Sequence, residues 1–139
     1  MKIDEITREI IGAAIKIHRR LGPGLLESAY TTCLTYELER AGFCVQCHKA
    51  VPLVYEGIKL GCAFRADMVV NDTVVVAIRS REALHPVDPS QLLSHLRLLN
   101  LPVGLLMNFH VVVLKDGIKR MVNHFQESSE EPELVGALR

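Results

Sequence analysis

Between Thr73 and Arg79 the chain reads Thr-Val-Val-Val-Ala-Ile-Arg, a short run that is apolar on both faces of a β-strand. A strand with one solvated face alternates apolar and polar residues; one that does not alternate is buried on both sides. The run therefore predicts a covered, central strand, and the rest of the chain has to supply its cover.

Cover is available on either side of it. Ile3, Ile6, Ile10, Ala13, Ala14, Ile17 and Leu21 recur at helical spacing, with Asp4 as the expected N-cap. Gly22-Pro23-Gly24 stops this helix. A second helix is predicted from Leu25 to Ala41, closed by Gly42, with Leu26, Ala29, Tyr30, Cys33, Leu34 and Leu38 as its apolar stripe. The period then changes. Phe43–Tyr55 reads as a strand, Glu56-Gly57 as a turn, and Ile58–Val70 as the hairpin partner. Within that partner, alternation places Phe64, Ala66, Met68 and Val70 on one face and Arg65 with Asp67 on the other. Asp88-Pro89 reads as an N-cap with proline in the first helical position, opening a helix that runs to Leu99. Val103–Phe109, Val111–Leu114 and Ile118–Val122 are strand-like. The order is α-α-β-β-β-α-β-β, one α/β domain with a mixed central sheet flanked by helices.

The 139 residues suffice for one domain with a single core. Sixteen basic and sixteen acidic side chains balance. Four of the acids, Glu127, Glu130, Glu131 and Glu133, lie in residues 127–139 against Arg139 alone, which reads as an acidic tail on a domain of residues 1–126. That domain keeps 12 acids and 15 bases, about +3. Such a charge permits a phosphate-binding patch, so nucleic acid is a partner to consider. No apolar run approaches the roughly 20 residues of a membrane span, and Met1-Lys2-Ile3-Asp4-Glu5 has no apolar leader core, so the cytoplasm is the expected compartment. Four cysteines there are expected to be thiols.

Gly24-x-x-Glu27-x-x-Tyr30 resembles the signature of the GxxExxY protein family. Phe64-Arg65-Ala66-Asp67, Gln91-Leu92-Leu93, Gly104-Leu105-Leu106-Met107-Asn108-Phe109 and Gly117-Ile118-Lys119-Arg120 follow in the family's order, so the resemblance covers roughly residues 3–123. That family is placed in the PD-(D/E)XK nuclease-like superfamily. The resemblance implies a restriction-endonuclease-like core with a helix carboxylate, an Asp on the second strand and a Glu-x-Lys on the third. In the superfamily these hold Mg²⁺ and activate water for phosphodiester hydrolysis. Hard divalent cations favour carboxylate oxygens, polarise phosphate and lower the pKa of bound water.

Glu27 matches the helix carboxylate and Asp67 the strand Asp. The third element departs: Ala77-Ile78-Arg79 stands where the family reads Glu-Leu-Lys. A methyl group replaces a metal ligand, and arginine stays protonated where a lysine could act as a base. In the next helix Gln91 is retained, but His95 stands where the family has Tyr. The expected remnant site is thus Glu27, Asp67, Arg79 and Gln91. Glu27, Asp67 and the Ile78 carbonyl are the remaining ligands for Mg²⁺ or Mn²⁺, and with Ala77 beside them binding is expected to be weak or absent. The predicted function is a nuclease-like protein with a degraded catalytic motif, binding nucleic acid or another protein; the alternative is a Mg²⁺-dependent nuclease with a migrated ligand. Two carboxylates without a metal repel. Arg79 is therefore expected to bridge Asp67, Glu27 or both; the rival arrangement points it into solvent or a groove.

A third reading is a thiol or metal-binding protein using Cys44 and Cys47. Cys44-Val45-Gln46-Cys47-His48 spells a c-type haem attachment run, but in a strand residues 44 and 47 face opposite ways, so no haem is expected. Cys33 and Cys62 are not at ligand spacing with them, so no zinc is expected either.

Overall fold

A computed structural model describes residues 1–61 and 64–124. Its helices are α1 (Ile3–Leu21), α2 (Glu27–Arg40) and α3 (Val87–Leu99). Its strands are β1 (Val45–Ala50), β2 (Leu53–Tyr55), β3 (Ile58–Leu60), β4 (Arg65–Val70), β5 (Val74–Arg79), β6 (Val103–Asn108) and β7 (Ile118–Val122). The main sheet runs β1-β4-β5-β6-β7, which puts the all-apolar run, β5, in the middle. β5 and β6 are parallel, joined by a crossover through α3, and every other pair is antiparallel.

Alternation along β5 divides the core into two layers. Val74, Val76 and Ile78 pack with Ile6, Ile10, Ile17, Tyr30 and Leu34 beneath α1 and α2. Val75 and Ala77 pack with Leu92, Leu96 and Leu106 beneath α3. Burying large aliphatic side chains on both faces, at about 25 cal/mol per Å² of apolar surface, is what makes an unalternating strand favourable here.

Several expected boundaries move, each for a local reason. The predicted strand Phe43–Tyr55 is two strands. The Val51 N–H still donates to the Phe64 carbonyl at 3.0 Å, but Pro52 has no N–H to continue the ladder. Among the described residues β2 and β3 pair with each other, apart from the main sheet. Val111–Leu114 is not a strand: Val112 is 90% exposed, and the chain turns through a 3₁₀ segment, Leu114–Gly117, that returns β7 antiparallel to β6. Asp4 does not cap α1. The helix starts from Lys2, whose N–H donates to Glu5 Oε1 at 2.8 Å, while Asp4 pairs with Arg120 of β7 at 3.1 Å. Asp88 is not an N-cap either; α3 starts at Val87, so Asp88 lies inside its first turn. α2 starts at Glu27 rather than Leu25: Gly24 turns the chain at φ +103°, and Leu26, still extended at φ −70° and ψ 154°, is the N-cap. Phe64 precedes β4 and leaves the Met68 face; its ring lies 6.4 Å from that of His95. The acidic segment 127–139 and Cys62 lie outside the described residues.

Candidate active site

The β4–β5 ladder ends at Met68↔Val76. Beyond it the two strands part, and the Asp67 carboxylate fills the gap: Oδ2 accepts from the Ile78 N–H at 2.9 Å. Asp67, Ala77 and Arg79 all face α3. With Arg65, Gln91 and His95 they line a cleft of about 60 Å³.

Arg79 is the centre of this cleft. Its side chain is 14% exposed. Nη1 donates to Asp67 Oδ2 at 2.9 Å and to the Ile78 carbonyl at 2.8 Å. Nε donates to Asp88 Oδ1 at 3.1 Å, and Nη2 reaches Gln91 Oε1 at 3.3 Å. The guanidinium thus turns inward and pairs with Asp67, not with Glu27. The rival outward orientation is not the one observed.

Glu27 sits elsewhere. It opens α2, on the opposite face of the sheet from α3, and is exposed. Its Oε2 accepts from the Ser80 N–H at 3.3 Å, just past the end of β5, and Ser80 Oγ donates to the Leu25 carbonyl at 2.7 Å. The loop before α2 is held by Tyr30, whose hydroxyl donates to the Gly22 carbonyl and accepts from the Leu25 N–H at 3.2 Å. Gly24, Glu27 and Tyr30 together fix this loop against the end of the central strand: glycine for a positive φ, glutamate for an orphan N–H, tyrosine for two loop backbone groups.

Asp88 is the group that sequence reasoning missed. It is 2% exposed and accepts from Arg79, from Arg81 Nη1 at 2.8 Å and from the His85 N–H at 2.9 Å. Burial raises its pKa, but the His85 N–H and the two guanidinium groups outweigh that and hold it below the usual carboxylate range. Burial likewise works against the Arg79 charge. The hydrogen bond and charge of Asp88, with those of Asp67, overcome it and leave its pKa raised. His95 is pushed below its ordinary value by burial, with Arg79 adding to this and Asp67 opposing it. An acid at the start of a helix reads as a cap, and only the fold turns its side chain onto β5. Asn108 was part of a quoted motif, yet its role is structural: Oδ1 accepts from the N–H groups of Arg81 and His110, and Nδ2 donates to the Arg81 carbonyl.

The family model of the PD-(D/E)XK nuclease superfamily matches residues 4–121. The chain belongs to this superfamily. Searches among curated proteins and among solved structures return no match. The three helices and mixed five-stranded sheet of the described residues accord with a restriction-endonuclease-like fold. No helix among the described residues is long and apolar enough to cross a membrane.

PD-(D/E)XK nucleases commonly use Mg²⁺ or Mn²⁺. The residues of this cleft as they stand do not fit such an ion. Asp67 Oδ2 is already shared by an N–H and a guanidinium, residue 77 offers a methyl group, and the Ile78 carbonyl is taken by Arg79. Among the described residues no group of three or more His, Cys, Asp or Glu side chains gathers to hold a metal. Cys44 and Cys47 are exposed; Cys47 lies on the outer strand β1, its Sγ 3.1 Å from Thr35 Oγ1.

Proposed function

We propose that this chain is a GxxExxY-type member of the superfamily that does not hydrolyse phosphodiesters, and that its domain, residues 1–126, binds nucleic acid through backbone charge. One observation carries the reading. At the place where the superfamily motif calls for a second carboxylate and a lysine, Ala77 and an inward Arg79 stand, and Arg79 closes on Asp67. With Asp67, Ala77 and Arg79 read as the motif's three positions, the site lacks both an anionic ligand and a titratable amine. The superfamily's hydrolysis needs a metal-bound water and the motif's carboxylates and lysine to activate it, and this set of groups is incomplete here. Glu27, the fourth element of the motif, is engaged by Ser80.

The exposed Arg65 at the mouth of the cleft and the net positive charge of residues 1–126 support phosphate contact. Contact of that kind is sequence-tolerant and weakens steeply as salt rises.

The test uses the full chain with labelled single- and double-stranded DNA and RNA in Mg²⁺ and in Mn²⁺. The expected result is retention without cleavage, with affinity that falls as salt rises. Cleavage by the native chain that disappears in Asp67→Ala refutes the non-hydrolytic reading. Absence of any salt-dependent retention refutes the nucleic-acid reading.

A further inference from the structure

Four oxygens surround the guanidinium of Arg79: Asp67 Oδ2, Asp88 Oδ1, the Ile78 carbonyl and Gln91 Oε1. Carboxylate, carboxylate, carbonyl and carboxamide are the donor types that hard divalent cations take. We propose that Arg79 is a tethered cation filling a divalent-cation cage, and that Asp88 from α3 supplies the second carboxylate absent at residue 77.

Asp67 and Asp88 bring two negative charges, and Arg79 and Arg81 bring two positive ones; without Arg79 the group is left with a net negative charge that attracts a cation. Arg81 holds Asp88 only through Oδ2, so Oδ1 is committed to Arg79 alone. Removing the guanidinium therefore frees Asp88 Oδ1 and the Ile78 carbonyl, and takes from Asp67 Oδ2 one of its two donors, the Ile78 N–H remaining. The Asp67 and Ile78 positions are already set by the strands, because Asp67 Oδ2 is anchored on the Ile78 N–H. Asp88 is likewise anchored, by the His85 N–H. A metal ion has shorter bonds than the guanidinium, about 2.0–2.1 Å for Mg²⁺ and about 2.3–2.6 Å for Ca²⁺. The side chains of Asp88 and Gln91 have to close by roughly an ångström, and both sit on the first two turns of a single helix. The native chain has no need of the metal, since its own side chain screens the two acids wherever the domain folds.

The inference does not depend on nucleic-acid binding, and its test contains none. Native protein, Arg79→Ala and Arg79→Ala/Asp88→Asn are titrated with MnCl₂ by calorimetry, and each is melted in Mn²⁺ and in chelator. Arg79→Ala is expected to bind Mn²⁺ about tenfold or more tighter than the native chain. Its melting temperature should fall in chelator and recover in Mn²⁺, whereas the double variant shows neither tighter binding nor recovery. Arg79→Gln, which keeps a shorter polar side chain and loses the charge, is measured in parallel in case Arg79→Ala does not fold in chelator; refolding of Arg79→Ala from denaturant in Mn²⁺ then supplies the readout. Mn²⁺ affinity in both single variants no tighter than native overturns the proposal, as does tighter binding that survives loss of Asp88.

Discussion

Asp88→Asn is expected to be among the most damaging single-atom changes in this protein. The carboxylate is nearly inaccessible and accepts three hydrogen bonds, two of them from guanidinium groups. Asparagine keeps one carbonyl oxygen but turns an NH₂ toward a donor. It also leaves Arg79, itself largely buried, with Asp67 as its only anion. Breaking a buried pair by neutralising one partner costs about 3–5 kcal/mol. The lower end applies, about 3 kcal/mol, because Arg81 remains partly solvated and one acceptor survives. Unfolding entropy of about 2.1 cal/mol/K per residue, over a domain of about 120 residues, turns this into a drop of roughly 10–12 °C in Tm. The pH dependence has a definite sign. The folded pKa of Asp88 lies below its unfolded value, since burial is outweighed by the His85 N–H and the arginines. Its contribution is therefore complete above the unfolded pKa of about 3.9 and is lost as pH falls through the folded value. Calorimetric melts of native and variant protein should differ by a constant gap from about pH 7 to about pH 5, and the gap should close in stronger acid. A variant that melts within about 2 °C of native at neutral pH, or a gap that widens in acid, refutes the reasoning.

Tyr30→Phe removes a buried hydroxyl that serves the Gly22 carbonyl and the Leu25 N–H; a loss of about 1–2 kcal/mol in urea unfolding is expected, and an unchanged midpoint contradicts the account of the loop. The His95 imidazole should titrate below about 6.5 in an NMR pH series. Because Arg79 adds to burial in lowering it, Arg79→Ala or Arg79→Gln should move it upward, and an unmoved His95 removes Arg79 from its surroundings.

Much of the fold was legible from periodicity. The helical spacing of Ile3 to Leu21, the unalternating run at 74–79 and the alternation of Arg65 and Asp67 against Met68 and Val70 are local patterns, and local patterns survive any tertiary arrangement. They placed β5 at the centre and Asp67 on the face opposite Met68 and Val70. Breaks that depend on partners were not legible. Pro52 splits a strand only because β1 has β4 beside it to pair with, and Val111–Val113 look like a strand until no neighbour receives them.

The site divides in the same way. Under the proposed reading, Ala77 and Arg79 stand in place of the motif's carboxylate and lysine; that departure is a matter of residue identity, and from the sequence alone followed the expectation that two acids left together take up a cation. Which acids they were was decided by the tertiary structure. Glu27, joined to Asp67 by the motif, lies on the other face of the sheet and spends its carboxylate on Ser80. Asp88, which looks like a helix cap, takes the place beside Arg79. A side chain's local role follows from its neighbours in sequence, but ion pairing at 3 Å depends on where the crossover between β5 and β6 lays α3 across the sheet, and no spacing of residues records that contact.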